Sequence, residues 1–90
     1  MNKDIKIKEY LLAISEPNRL AILKFLKKGE VCACEIHPEI KLTQNLSSHH
    51  LKVLKDIGLL NSRREGVKIL YFRNEEIIKH YQSELNKIVL

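Results

Sequence analysis

The chain has 90 residues, 44% of them hydrophobic and 30% charged, and a formal net charge of +5 with its four histidines neutral. This length suits one modest core, so we expect a single domain over residues 1–90, and the low Pro and Gly content argues against disorder. The basic balance indicates an acidic polymer as partner, whereas the lack of a long apolar run argues against a membrane span and favours a cytoplasmic protein.

The first part of the chain has the apolar spacing of two helices. Residues 4–15 carry an apolar stripe at the helical period and form the first predicted helix. The second is predicted to start at Pro17, which a first helical turn tolerates, with Ser15 as its N-cap. It should run to Lys28 and end at Gly29.

A short third helix and a longer fourth helix are predicted next. The third runs from residue 31 to about residue 40, and Pro38 implies that it is short, kinked or ends near His37. Thr43 then caps a fourth helix over residues 44–57. Its apolar positions are Leu46, Leu51, Val53, Leu54 and Ile57.

The apolar period changes after the fourth helix. Residues 59–73 alternate as two strands around Glu65-Gly66, which predicts a β-hairpin with both faces partly used. Asn74 can cap a last helix over residues 75–89. The predicted fold is therefore mainly α with a β-hairpin, in the order of a winged helix-turn-helix.

The fourth helix has a polar face that could read DNA. In a winged helix-turn-helix the helix after the turn lies in the major groove. Gln and Asn side chains can pair with adenine edges, Ser can contact bases or phosphate, and Lys can neutralise phosphate. The candidate DNA-binding residues on this face are Gln44, Asn45, Ser48, His49 and Lys52. An ordinary solvated face is the alternative, and His50 is expected to point inward as a hydrogen-bonded residue.

The predicted hairpin adds a second basic surface. Arg63, Arg64 and Lys68 lie near its tip, where a wing that contacts the DNA backbone or minor groove needs positive charge. Because this basic hairpin directly follows the polar-faced helix, the two features together predict DNA binding.

Cys32 and Cys34 are the only cysteines, and His37 follows three residues later. In the cytoplasm such a pair is more often a metal or redox site than a structural disulfide, and a Cys-x-Cys disulfide would be strained. On a regular helix the two side chains point about 200° apart, so they can share one ion only if the helix start is frayed. Ligands of a soft metal, a redox pair and two inert buried thiols remain alternative interpretations.

At this point the sequence resembles the ArsR/SmtB metalloregulators, which are small dimeric winged-helix repressors, and the similarity covers almost the whole chain. The matching segments are SEPNRLAILKFL, EVCACEI, LSSHHLKVLKDIGLL and RREGVKILYF. The resemblance implies a dimer formed by the first and last helices and two recognition helices on a palindromic operator. It also implies that a thiophilic ion bound by Cys-x-Cys releases the protein from DNA, and that the regulated genes export or detoxify that ion.

The sequence departs from the arsenite-responsive members of that family at one position. They often carry a third cysteine where this chain has His37, followed by Pro38. A Cys2His set favours Zn(II) or Cd(II). In the alternative that His37 is a surface residue, As(III) would keep two protein sulfurs and an outside thiol or water. The candidate metal ligands are therefore Cys32, Cys34 and His37, and the candidate inducers are As(III), Cd, Pb and Zn. A second family site on the last helix lacks one of its two histidines here.

The sequence predicts a homodimeric repressor that leaves its operator when a thiophilic metal or metalloid binds the cysteine pair. One alternative is a repressor that senses oxidants or reactive sulfur through the same pair. An alternative of another class is a winged-helix module that binds protein. The sequence contains no Gly-rich phosphate loop, no nucleophile with a positioned base and no carboxylate pair placed to share a cleft, so we do not expect an enzyme.

Overall fold

The computed structural model describes residues 3–89, with side chains described from residue 7 onward. The elements follow the predicted order, with one additional short strand. They are α1 (Lys3–Ile14), α2 (Pro17–Phe25), a 3-10 helix (Leu26–Lys28), β1 (Val31–Cys32), α3 (Ala33–Ile40), α4 (Gln44–Asp56), β2 (Leu60–Glu65), β3 (Lys68–Arg73) and α5 (Glu75–Val89). The last predicted helix agrees with α5, and α2 ends earlier than predicted because its last turn tightens into the 3-10 helix.

The cap of α2 differs from the predicted one. The carboxylate of Glu16 accepts the backbone N–H groups of Asn18 and Arg19, at 3.0 and 3.2 Å, so Glu16 is the N-cap. Ser15 still lies at the end of α1, where its hydroxyl donates to the Leu12 carbonyl at 2.7 Å. The prediction of Ser15 as the cap was wrong, because its hydroxyl bonds back to the preceding helix instead.

The third helix begins two residues later than predicted. Val31 and Cys32 form the strand β1, which pairs antiparallel with β3 at Tyr71 and Leu70. A two-residue strand is too short to show a period of two, so the sequence gave no signal for it. Ala33 is the first helical residue, and the helix was therefore predicted wrongly at its start.

Pro38 lies inside α3 and does not end it. The helix continues to Ile40, and Lys41 then adopts a left-handed conformation with φ 62° and donates to the Pro38 carbonyl at 3.2 Å. Of the outcomes predicted from Pro38, a short helix that ends at residue 40 is confirmed, and an end near His37 is not observed. Because proline has no N–H, the Cys34 carbonyl lacks its usual partner four residues on, so α3 has one backbone hydrogen bond fewer next to the cysteines.

The caps predicted for α4 and α5 are confirmed. The Thr43 hydroxyl accepts the N–H of Leu46 at 3.2 Å, and the Asn74 side-chain oxygen accepts the N–H of Ile77 at 3.2 Å. The hairpin between the two helices is also confirmed. Its strands pair from Leu60 opposite Arg73 to Glu65 opposite Lys68, and Gly66 supplies the positive φ of 63° that the turn requires.

All three strands form one antiparallel sheet in the order β1-β3-β2, and the helices pack around one core beside it. The largest fully buried side chains come from α2, the 3-10 helix, α3, α4, the residue before β2 and the first residue of β2. They are Ile22, Leu26, Ile36, Leu51, Leu54, Leu59 and Leu60. At the opposite end α1 meets α5 through the stacked rings of Tyr10 and Tyr81, whose centroids are 4.6 Å apart. This is the winged helix-turn-helix that the sequence predicted, with α4 after the turn and β2–β3 as the wing.

Candidate thiol site and DNA interface

The two cysteines lie at the boundary between β1 and α3. Cys32 has extended backbone angles and is the N-cap of α3, and its sulfur accepts the N–H of Cys34 at 3.2 Å. Because Cys32 lies outside the helix, the 200° separation of two helical side chains does not apply. The Cα atoms are 5.1 Å apart and the sulfurs are joined as a disulfide. The boundary between β1 and α3 thus brings the two sulfurs together, which is the condition for a shared ion. From the sequence, we had expected a metal or redox site rather than a disulfide.

The two sulfur-bearing residues differ in their exposure. Cys32 is 7% exposed and packs in the core, whereas Cys34 is exposed at the surface. An ion or an oxidant therefore reaches the pair from the side of Cys34. A structural role for Cys32 and a reactive role for the pair are compatible, because only one member needs to face solvent.

A cavity of about 390 Å³ lies between the cysteine pair, the first turns of α4 and the tip of the wing. It brings together residues that the sequence had assigned to two different tasks. The predicted metal ligands Cys32, Cys34 and His37 line it, and so do the predicted DNA-binding residues Gln44, Ser48 and Lys68. A ligand at the cysteine pair would therefore lie against both elements that are predicted to contact DNA.

The donor atoms at the pair fit a soft ion in part. Two adjacent sulfurs can hold one thiophilic ion after reduction, because thiolates are its preferred ligands. Between residues 3 and 89, however, no group of three or more His, Cys, Asp or Glu side chains is arranged to hold a metal. His37 lines the cavity, but its role as a third ligand stays a prediction. An ion bound here would have two protein sulfurs as its firm ligands.

The predicted DNA-binding face of α4 is accessible. Its five residues are all exposed. Lys52 forms an ion pair with Asp56 at 2.8 Å, one turn further along the helix. In the described part of the chain, the side chains of Gln44, Asn45 and Ser48 make no hydrogen bond, so these polar groups are available to a partner.

The basic residues of the wing differ among themselves. The Arg63 guanidinium contacts both carboxylate oxygens of Glu30, at 2.6 and 2.7 Å, and Glu65 at 2.9 Å. The hydrogen bonds from Arg63 lower the pKa of Glu30, and those to Glu30 raise the pKa of Arg63. Arg64 and Lys68 are exposed and, within the described residues, form no ion pair. These two are therefore better placed than Arg63 to contact phosphate.

His50 points inward, as predicted, and fixes α4 against the start of α2. Its side chain is 12% exposed, and its Nδ1 lies 3.4 Å from the Glu16 carboxylate and 3.1 Å from the Arg19 guanidinium. Burial lowers the pKa of His50, and the Glu16 charge opposes that effect. Because the guanidinium can only donate, Nδ1 accepts and the neutral imidazole fits this position.

The burial of Ser47 and the ion pair of Glu30 were not predicted from the sequence. Ser47 is 2% exposed, whereas Leu46, which was predicted in the core, is 51% exposed. The spacing of Ser47, Leu51 and Leu54 at i, i+4 and i+7 could have shown that the buried stripe includes a serine. Glu30 gave no local signal, because its partner Arg63 lies 33 residues further along the chain.

The first and last helices leave an apolar groove of about 510 Å³ at the far end of the molecule. Leu12 of α1 is 58% exposed and Ile88 of α5 is 63% exposed, and both line this groove. Apolar surface of this kind on two neighbouring helices suits contact with a further apolar surface. None of the helices in the described part of the chain combines the length and the apolar character that crossing a bilayer requires.

Comparison with known proteins gives consistent matches over this region and beyond. The model of the arsR family of bacterial regulatory proteins matches residues 16–62. An uncharacterized HTH-type transcriptional regulator of Methanocaldococcus jannaschii is 42% identical over an alignment of 84 residues that covers 88% of this chain and 94% of that protein. The arsenical resistance operon repressor of Staphylococcus xylosus is 37% identical over 78 residues, which are 87% of this chain and 75% of that protein.

The fold has close counterparts among solved structures. The homodimeric winged helix-turn-helix DNA-binding domain of a Mycobacterium bovis protein matches with a TM-score of 0.76 and 27% identity. The match covers 93% of this chain and 77% of that one. The sequence and the structure therefore lead to the same group of regulators.

Proposed function

This chain belongs to the ArsR family of bacterial regulatory proteins, and we propose that it is a repressor. Binding of a thiophilic metal or metalloid would release it from operator DNA. As a member it is a transcriptional regulator and not an enzyme. The proposed inducer site is Cys32 and Cys34. The observation that carries the proposal is the cavity that these cysteines share with α4 and the wing.

DNA recognition is assigned to α4 and the wing. The exposed polar face of α4 would enter the major groove, where Gln44 and Asn45 can read adenine edges and Ser48 and His49 can contact bases or phosphate. Arg64 and Lys68 of the wing would neutralise phosphates beside the groove. Arg63 and Lys52 belong to the same proposed surface, although each also has an acidic partner within the chain.

We propose a homodimer in which α1 and α5 of two copies cover each other's apolar groove. The exposed side chains of Leu12 and Ile88 support this assembly, as does the homodimeric state of the Mycobacterium bovis domain. A two-fold dimer would present two α4 helices to two half-sites of a palindromic operator, which is the usual geometry of such proteins. Because its proposed partner is operator DNA, the protein would act in the cytoplasm.

The chain offers two routes from the cysteines to the DNA-binding elements. Cys32 pairs with Leu70 of β3 in the sheet, so a change in its backbone alters the strand that carries the wing. Cys34 lies in the first turn of α3, which packs against α4 in the helix-turn-helix. When bound, the ion supplies soft coordination that holds both thiolates in one geometry. The missing hydrogen bond opposite Pro38 makes the start of α3 easier to rearrange.

The test is operator binding by the reduced protein in the presence of As(III), Sb(III), Cd(II), Pb(II), Zn(II) and Cu(I). At least one ion should weaken operator binding by a coupling of about 1–3 kcal/mol, which is roughly 5–150-fold. The variant Cys32→Ser/Cys34→Ser should bind the operator as wild type does and should not respond. If this variant responds like wild type, the sensing site lies elsewhere.

A second candidate function is favoured by the Cys32–Cys34 disulfide. The same pair could regulate DNA binding by oxidation, with the dithiol and the disulfide as the two states. Oxidant titration with thiol counting separates the two proposals. Release of DNA that follows thiol loss, together with no release by any ion, would favour the redox function over ion sensing.

A further inference from the structure

Ser47 is the one polar side chain in the buried core of the described residues, at 2% exposed. Its hydroxyl oxygen has no hydrogen-bond partner in the protein. A buried hydroxyl without a partner destabilises the fold, and an apolar side chain would pack there without that cost. Such a group calls for a partner that comes from outside the chain.

The position of Ser47 indicates what this partner is. Ser47 lies in the first turns of α4 and lines the same cavity as Cys32 and Cys34. A ligand attached to the two sulfurs would therefore occupy the space beside the unpartnered hydroxyl. Because Ser47 is buried, it does not belong to the face of α4 that is proposed to contact DNA.

The donor set at the pair leaves room for an oxygen on the ligand. Two protein sulfurs leave one position open on a trivalent metalloid, and no cluster of three protein ligands exists among the described residues. A thiol or phosphine reductant first supplies two electrons that convert the disulfide to two thiols. In arsenous acid, As(OH)3, each of these thiols would then replace one hydroxyl: an As–O bond breaks, an As–S bond forms, and the thiol proton leaves with that hydroxyl as water. Arsenic stays trivalent, and the third hydroxyl remains bound to it.

We propose that the Ser47 hydroxyl forms a hydrogen bond with this remaining hydroxyl, so that the cavity is specific for a trivalent oxyacid. This inference rests on the proposed function, because it takes the cysteine pair as the inducer site. A divalent cation such as Cd(II) keeps no covalently held hydroxyl and would gain less from Ser47. The hydrogen bond would also connect the bound ligand directly to the recognition helix α4.

The test compares arsenite and Cd(II) binding to protein reduced with a phosphine, which adds no competing thiol. Ser47→Thr and Ser47→Val form a matched pair of equal shape, and only the former keeps the hydroxyl. Ser47→Ala removes the hydroxyl without adding a methyl group. Loss of one hydrogen bond should weaken arsenite binding by about fivefold to tenfold in the Ala and Val variants but not in the Thr variant. Their Cd(II) affinity should stay within about twofold of wild type.

Several outcomes would overturn the inference. Equal arsenite affinity in Ser47→Val and Ser47→Thr would show that the hydroxyl has no role, and an equal loss for arsenite and Cd(II) would show a structural role only. Thermal unfolding supplies a second readout, since Ser47→Ala should not be less stable than wild type. If reduced wild-type protein leaves DNA with Cd(II) but does not bind arsenite, this inference is wrong and the proposed function stands. If arsenite binds with the expected Ser47 dependence and no ion releases DNA, the proposed function fails and this inference stands.

Discussion

The recognition helix α4 and the wing β2–β3 are both assigned to DNA, but they are connected to the cysteine pair in different ways. The wing is connected through the backbone, because Cys32 pairs with Leu70 of β3, and through the Glu30–Arg63 ion pair. The helix is connected through side chains that line a common cavity and through the packing of α3. Ion binding or oxidation at the cysteines can therefore alter phosphate contacts through the sheet and base contacts through the cavity.

The two elements also differ in how available their polar groups are. The amide groups of Gln44 and Asn45 make no hydrogen bond within the described chain, whereas Arg63 already has two carboxylate partners. Base reading should therefore depend on α4 alone, and the salt-dependent part of binding should come mostly from Arg64 and Lys68. Four predictions test this division between base contacts by α4 and phosphate contacts by the wing.

The largest effect is expected for base reading. Gln44→Ala and Asn45→Ala should each reduce the preference for operator over random DNA by about 1–3 kcal/mol per half-site, because a bidentate amide pair with adenine is lost. Competition binding with operator and scrambled DNA measures this preference. The salt dependence should stay unchanged, and a lower salt slope for either variant would mean that these residues contact phosphate instead.

The next effect concerns the wing. Arg64→Ala or Lys68→Ala should weaken operator and random DNA alike, because a phosphate contact carries no sequence information. In a symmetric dimer each change should reduce the slope of log K against log salt by about 1.8, at about 0.9 per phosphate contact. Anisotropy titrations at several salt concentrations measure the slope. A selective loss for the operator would contradict the assignment of the wing to phosphate.

A smaller effect is expected for the ion pair that joins the wing to the cysteine segment. Glu30→Gln removes the carboxylate that Arg63 contacts, so Arg63 becomes more available and DNA affinity should rise. Because both members of the pair are exposed to solvent, its loss should change the stability little. The same titrations should show a steeper salt slope, and the double variant Glu30→Gln/Arg63→Ala, as control, should not show it.

The smallest effect is expected from pH. Burial lowers the pKa of His50, so the folded chain binds this proton less readily than the unfolded chain does. The stability linked to His50 is therefore fully present above the unfolded pKa of about 6.5 and is lost as the pH falls through the lower folded value. Thermal unfolding between pH 7.5 and 5.5 should show a larger loss for wild type than for His50→Gln. Equal losses would mean that His50 is not held neutral.

The sequence was informative where the signal is local. The caps Thr43 and Asn74, the hairpin turn at Gly66 and the exposed polar face of α4 all follow from residue types at fixed spacings, and the structure has them. The prediction that Ser15 caps α2 was wrong because its hydroxyl bonds to the Leu12 carbonyl, and the Glu16 carboxylate caps the helix instead.

The thiol site was predictable in its residues but not in its geometry. The Cys-x-Cys spacing identified the pair, yet its close approach depends on β1, whose pairing partner Leu70 lies 38 residues away from Cys32 (70 minus 32). The Glu30–Arg63 contact is also long-range, so neither could be found from local periodicity. Ser47 was missed because a serine gives no sign of burial when each residue is judged by its type alone, and the adjacent Leu46 was expected in the core instead.

We propose that the ion and the operator oppose each other through Cys32 and Cys34, so each should weaken the binding of the other. The affinity of reduced protein for As(III), or for whichever ion is most effective, is measured free and saturated with operator DNA. Thermodynamic linkage requires operator DNA to weaken ion binding by the same factor by which the ion weakens operator binding, roughly 5–150-fold. We expect equal factors in wild type, and no ion binding by Cys32→Ser/Cys34→Ser either free or on the operator. An ion affinity that is unchanged by operator DNA would contradict this proposal.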